Sequence, residues 1–156
     1  MRPALPDVNV LIALIDPSHQ FHDAAHLWFE RNRKHGWATC PITENACLRI
    51  LAKPGYPYLG LTVPEIRDIL IELCQSGSHR FWPDSVSLLE KPRFELSEAG
   101  PKNLTDLYLL AVAESNGGRL ATFERGIRWQ KVLGAGPEAI EVIAQDLAVG
   151  RPRSSK

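Results

Sequence analysis

Short apolar runs of strand length alternate along this chain with amphipathic stretches at helical spacing. Ala4-Leu5 runs through Pro6-Asp7 into the apolar segment Val8-Asn9-Val10-Leu11-Ile12-Ala13-Leu14-Ile15, which reads as a short buried strand followed by a helix opening near Asn9. Asp16-Pro17-Ser18 interrupts the pattern. Residues 23–34 set Ala24, Leu27 and Trp28 at helical spacing, and Gly36 stops that helix. Residues 37–40 read as a second strand ended by Pro41, and Thr43 is the expected N-cap of a helix reaching about Ala52, before Pro54. Residues 53–60, rich in Pro, Gly and Tyr, form a loop. Thr62-Val63-Pro64-Glu65 opens a helix to about Gln75, with Pro64 suited to its first turn.

Residues 80–82 read as a strand, followed by a loop-rich stretch to Pro101. Asn103 is the expected cap of a helix through Ser115, closed by Gly117-Gly118. Residues 119–122 form a strand that ends at Phe123-Glu124, and residues 139–143 form a last one. Strands alternating with helices imply an α/β sandwich around a parallel sheet. Residues 1–149 are expected to be one domain, because two domains sharing 156 residues would each hold a marginal core. The tail 150–156 is basic and polar and is expected to be disordered.

Composition narrows the class. Hydrophobic residues at 44% and charged residues at 23% are those of an ordinary soluble domain. No apolar run approaches the roughly 18–20 residues that span a bilayer. The run at residues 8–15 is too short for a signal peptide, so a cytoplasmic protein without a membrane partner is expected. Cys40, Cys47 and Cys74 form no CxxC pair, which speaks against a disulfide framework or structural zinc. A net charge of zero removes any global attraction to nucleic acid, leaving local basic patches or a bound metal to supply it.

The candidate chemistry is acidic. In open α/β sheets, sites form outside the carboxyl ends of the strands. Asp7 follows the first strand, Glu44 opens the helix after the second, Glu124 follows the strand at Arg119, and Asp106 sits in the first turn of the helix from Asn103. Capping and the helix dipole explain any one such carboxylate. The set is harder to explain that way. Asp7 is embedded between apolar runs and Asp106 among Leu104, Leu107, Leu109 and Leu110. Buried carboxylates cost several kcal/mol, and two like charges about 4 Å apart repel by roughly 4 kcal/mol at an effective dielectric near 20. A hard divalent cation with oxygen ligands, Mg²⁺ or Mn²⁺, resolves the conflict, and such an ion supports phosphodiester hydrolysis.

Residues 5–14, Leu-Pro-Asp-Val-Asn-Val-Leu-Ile-Ala-Leu, resemble the opening motif of PIN-domain nucleases, specifically VapC-type toxins of bacterial toxin–antitoxin pairs. Thr43-Glu44 with Arg49-Ile50-Leu51, Thr105-Asp106-Leu107, and residues 120–126, Leu-Ala-Thr-Phe-Glu-Arg-Gly, follow in the family's order. Asp16-Pro17 and His22-Asp23-Ala24-Ala25 also suit it, so the likeness spans nearly the whole chain. It implies a three-layer α/β/α sandwich with a parallel sheet of about five strands. It also implies Asp7, Glu44 and Asp106 as core ligands of Mg²⁺ or Mn²⁺, with Glu124 as a further member. The implied activity is metal-dependent endoribonuclease cleavage of structured RNA such as tRNA or rRNA. A VapB-type antitoxin would block the acidic pocket, and homodimers are usual. One departure stands out: the family usually has Asp where this chain has Glu124, one methylene longer.

Around the acids, Asn9, Thr43, Thr105 and Thr122 are candidates to orient ligands through hydrogen bonds, with helix capping as the plain explanation for the first three. Arg49, Arg125, Arg128 and Lys131 are candidate RNA-phosphate contacts, set against the ordinary role of solvated charge. His19, His22 and His26 have spacing that suggests zinc, but no Cys or further ligand accompanies them. A haloacid-dehalogenase-type phosphatase would need a second Asp where Asn9 stands and a Thr soon after. A non-catalytic antitoxin-binding or RNA-binding module on the same fold is the alternative to an enzyme.

Overall fold

The computed structural model describes residues 1–57 and 59–145; the expected disordered tail at 150–156 lies outside them. Five strands, β1 (Ala4–Pro6), β2 (Trp37–Thr39), β3 (His79–Phe81), β4 (Arg119–Thr122) and β5 (Ile140–Val142), form one sheet in the order β3-β2-β1-β4-β5. All pairings are parallel, with Leu5 opposite Leu120, Thr39 opposite Phe81 and Thr122 opposite Val142. The expected α/β/α sandwich with a five-stranded parallel sheet is what the chain forms.

Alternation along the central strands builds two cores. Ala4, Trp37 and Ala121 face one side and pack with α1 (Val8–Ile15), α2 (His22–Asn32), α3 (Pro41–Leu51) and α4 (Val63–Cys74). Leu5, Ala38 and Leu120 face the other side and pack with α5 (Leu104–Ser115) and with loop residues such as Phe94 and Val132. The strands are three or four residues long and buried on both faces at the sheet centre, as parallel strands require. Among the described residues no helix is long and apolar enough to cross a membrane.

Two helix starts differ from expectation. The helix expected at Thr43 begins at Pro41, with Cys40 at the N-cap. Proline fits the first helical turn, where its missing N–H has no partner to lose, so the residue read as a strand stop is a helix start. Thr43 sits in that first turn, and its hydroxyl accepts from the Cys40 amide at 3.0 Å. The first helix likewise opens at Val8, capped by Asp7 rather than Asn9. Asn103 makes no side-chain cap, because a short 3-10 turn at Pro101–Asn103 leads into α5. At Gly36, a φ of 105° turns the chain from the end of α2 into β2.

The histidine trio is structural. His22 Nδ1 donates to the Ala13 carbonyl at 2.7 Å and His26 Nε2 to the Leu14 carbonyl at 2.9 Å. Both rings thereby satisfy carbonyls at the end of α1 that no further helical turn would reach. His19 Nδ1 accepts from the Phe21 amide.

Candidate functional site

Asp7 sits where β1 hands over to α1, at the carboxyl edge of the central strands, and is 4% exposed. Its Oδ1 accepts from the Val10 amide at 3.0 Å, which makes it the N-cap of α1. Its Oδ2 accepts from the Thr122 hydroxyl at 2.5 Å, across the β1–β4 pairing. Burial raises its pKa above the ordinary 3.8, and the bonds from Thr122, Val10 and the Asn9 backbone oppose that rise without cancelling it.

Asp106 projects from the first turn of α5 toward the same edge. Burial first, then the charges of Asp7 and Glu124, raise its pKa to about 6. Glu124, two residues past β4, also acts on Asp7. Asp7, Asp106 and Glu124 thus form a mutually repelling triangle drawn from three separate parts of the chain. None of the ion pairs among the described residues involves any of them.

Such a donor set fits a hard divalent ion, since its oxygens are all carboxylate and its negative charge is uncompensated. Among the described residues no three His, Cys, Asp or Glu side chains are placed to hold a metal ion together. An ion here would therefore draw on one or two of these carboxylates, as Mg²⁺ does when water and substrate phosphate complete its shell.

Glu44, expected in the same cluster, lies elsewhere. Its Oε2 accepts from the Thr39 hydroxyl at 2.6 Å, and it lines a groove between α3 and α4 with Leu48, Arg67, Leu70 and Cys74. The Thr39 hydroxyl gives its proton to Glu44, so the His79 Nε2 at 2.9 Å is the donor to Thr39 Oγ1. Burial lowers the His79 pKa, and Glu44 opposes that shift. Burial, followed by the Glu44 charge, pushes the Cys74 thiol up to about 11. Asn45, one residue on, faces the edge groove instead, with Val8, Thr105 and Arg49.

Of the four candidate orienting residues, only Thr122 touches a carboxylate of the triangle with its side chain. It also accepts from the Glu124 amide at 3.0 Å, so one hydroxyl ties Asp7 to the backbone of Glu124. Asn9 contributes its backbone N–H to Asp7, Thr43 closes the start of α3, and Thr105 is exposed in the edge groove. Among the basic candidates, Arg128 and Lys131 line one cleft with Asp106 and Glu124. Arg49 lies in the neighbouring groove, and Arg125 is exposed outside both.

Sequence reading missed the Thr39–His79 pair and the groove position of Asn45. Thr39 ends a strand like Thr122, which is the one local signal. His79 comes from a strand about 40 residues away, and no spacing reveals that meeting.

A PIN domain family model matches residues 4–131. Over 133 residues the chain is 39% identical to Ribonuclease VapC44 of Mycobacterium tuberculosis, covering 85% of this chain and 93% of that protein. It is 38% identical over 124 residues to Ribonuclease VapC38 of the same organism, covering 80% and 86%. With Ribonuclease VapC29 the identity is 35% over 123 residues, covering 79% and 86%.

Proposed function

The chain belongs to the PIN-domain family, and from that premise we propose that it is a divalent-metal-dependent endoribonuclease of the VapC type, the toxin of a toxin–antitoxin pair. One observation carries the reading: Asp7, Asp106 and Glu124 repel one another at the carboxyl edge of the sheet, and among the described residues no cationic side chain forms an ion pair with them. The likeness to proteins named ribonucleases over most of their length supports RNA as the substrate.

Asp7 and Asp106 would hold Mg²⁺ or Mn²⁺, with Glu124 reaching it directly or through a water. An ion held there would supply Lewis acidity and positive charge for phosphodiester hydrolysis. Thr122 holds Asp7 in one orientation, which keeps the carboxylate from swinging out of register with Glu124. Burial of Asp7 against the end of β1 limits competing hydration and strengthens its electrostatic hold. Arg128 and Lys131, on the wall of the same cleft, receive the flanking phosphates. Glu44 lies outside this set and acts on the α3–α4 side.

The substrate on this reading is structured RNA such as tRNA or rRNA, met in the cytoplasm. A VapB-type antitoxin covers the acidic cleft, and the toxin itself is a homodimer. Purified protein with Mg²⁺ or Mn²⁺ degrades RNA, and Asp7→Asn or Asp106→Asn does not. Cleavage that survives both substitutions rejects the carboxylate mechanism.

A further inference from the structure

A cavity of about 220 Å³ reaches from Asp106 and Glu124 onto residues that the hydrolysis itself does not require, among them Glu95, Glu98, Ala99, Asn103 and Ile127. Asp106 and Glu124 close one end. Ala99, Leu107 and Ile127 supply apolar walls, while Asn103, Glu95 and Glu98 add polar groups and Arg128 and Lys131 complete the rim. We propose that this cavity is a nucleobase subsite, one that takes an unpaired guanine next to the reacting phosphate. The proposal rests on the ribonuclease reading.

The cavity is a built feature of the fold. An isolated antiparallel bridge joins Phe94 to Val132. Backbone bonds flank it, from the Glu95 amide to the Lys131 carbonyl and from the Leu133 amide to the Arg93 carbonyl, each 2.8 Å. Phe94 and Val132 are buried in the core on the α5 side. Two loops outside the main sheet are therefore locked together, and the wall carrying Glu95 is fixed relative to the wall carrying Lys131.

Charge decides which part of a nucleotide enters. Glu95 and Glu98 repel a phosphate, so the sugar–phosphate chain stays at the rim with Arg128 and Lys131. Apolar side chains in the wall suit a flat, uncharged ring. What remains to be matched is hydrogen bonding. Carboxylates only accept, so the favoured base presents donors. Guanine offers two adjacent donors on its Watson–Crick edge, N1–H and the 2-amino group, which meet one carboxylate in parallel. Uracil offers a single ring N–H flanked by two carbonyl oxygens, which the carboxylates repel.

The two acids are not equivalent. Glu98 pairs with Lys131 at 3.6 Å. Glu95 is oriented by Ser97, whose amide donates at 2.9 Å, and feels the Lys131 charge only as its smallest influence, so of the two it is the freer to read the base edge. Asn103, on the turn entering α5, has a side-chain NH₂ able to donate to the guanine acceptors O6 and N7.

Two measurements on the full chain test this. In the first, guanosine monophosphate and uridine monophosphate are titrated into metal-free protein and followed by amide chemical shifts. GMP moves the resonances of Ala99, Asn103 and Ile127, UMP at the same concentration does not, and Glu95→Gln removes the difference. Equal responses to the two, or none, overturn the guanine subsite. In the second, cut sites in unpaired RNA of random sequence are mapped with Mn²⁺. Guanine is enriched at one fixed position next to the cut for the wild type, and Glu95→Gln loses the enrichment. Metal-dependent cleavage without a fixed base preference overturns the subsite and leaves the ribonuclease standing. No cleavage of any RNA overturns the ribonuclease reading, and the titration then decides the cavity by itself.

Discussion

Thr122 donates its hydroxyl proton to Asp7 across 2.5 Å while accepting from the Glu124 amide at 3.0 Å. A single fully buried side chain at the end of β4 thereby sets the orientation of one carboxylate and anchors the backbone of another. Thr122→Val keeps the shape and removes the donor. It leaves a buried carboxylate short of a partner, at a cost of about 1–3 kcal/mol at neutral pH. The cost shrinks in acid, where Asp7 takes up a proton and needs the donor less. Urea denaturation at pH 7 and near pH 4 measures both, with Thr122→Ser restoring stability. Equal losses at the two pH values would show that the bond does not serve the charged form.

Asp106 gives the metal-free protein a pH dependence of definite sign. Its folded pKa of about 6 lies above the ordinary 3.8, so between those values the folded state holds more protons than the unfolded one. Stability therefore falls as pH rises from about 4 through about 6 and then levels. Because the group is partly solvated, screening reduces the effect to the order of 1 kcal/mol. Asp106→Asn flattens the profile and raises the neutral-pH Tm of metal-free protein. A lowered Tm with an unchanged profile would contradict the burial and repulsion described here.

Glu44, held by Thr39 on the far side of α3, is expected to leave metal binding to the triangle. Glu44→Gln retains the Mn²⁺-induced rise in Tm, whereas Asp7→Asn loses it. Loss of that rise in Glu44→Gln would mean that the carboxylate leaves Thr39 and joins the ion.

Glu124→Asp shortens the side chain by one methylene and is expected to preserve metal-dependent RNA cleavage. Initial rates on one RNA substrate compare the two proteins. A loss of an order of magnitude or more, about 1.4 kcal/mol in barrier, would identify the longer side chain as a fitted ligand.

The parallel sheet was legible because apolar runs and turn residues alternate so regularly, and β4 was read to the residue from the Gly117-Gly118 stop to Glu124. Asp7 stood out because a carboxylate between two apolar runs demands an explanation. Glu44 does stand in the first turn of α3, as its place after β2 suggested, but its carboxylate turns to Thr39, and no local pattern tells which way an acid in that turn points. The His22 and His26 contacts with the end of α1, and the meeting of Thr39 with His79, depend on how separate elements pack. No residue spacing encodes that. The wall of the cavity beside Asp106 escaped notice for the same reason, since the bridge between Phe94 and Val132 joins two stretches that read only as loop.

Calorimetric titration of Mn²⁺ into the metal-free protein tests the central claim most directly. The wild type is expected to bind at neutral pH, with affinity falling below about pH 6 as Asp106 protonates. Asp7→Asn and Asp106→Asn, folded by circular dichroism, are expected to bind at least tenfold more weakly, about 1.4 kcal/mol. Undiminished binding in both variants would contradict the account.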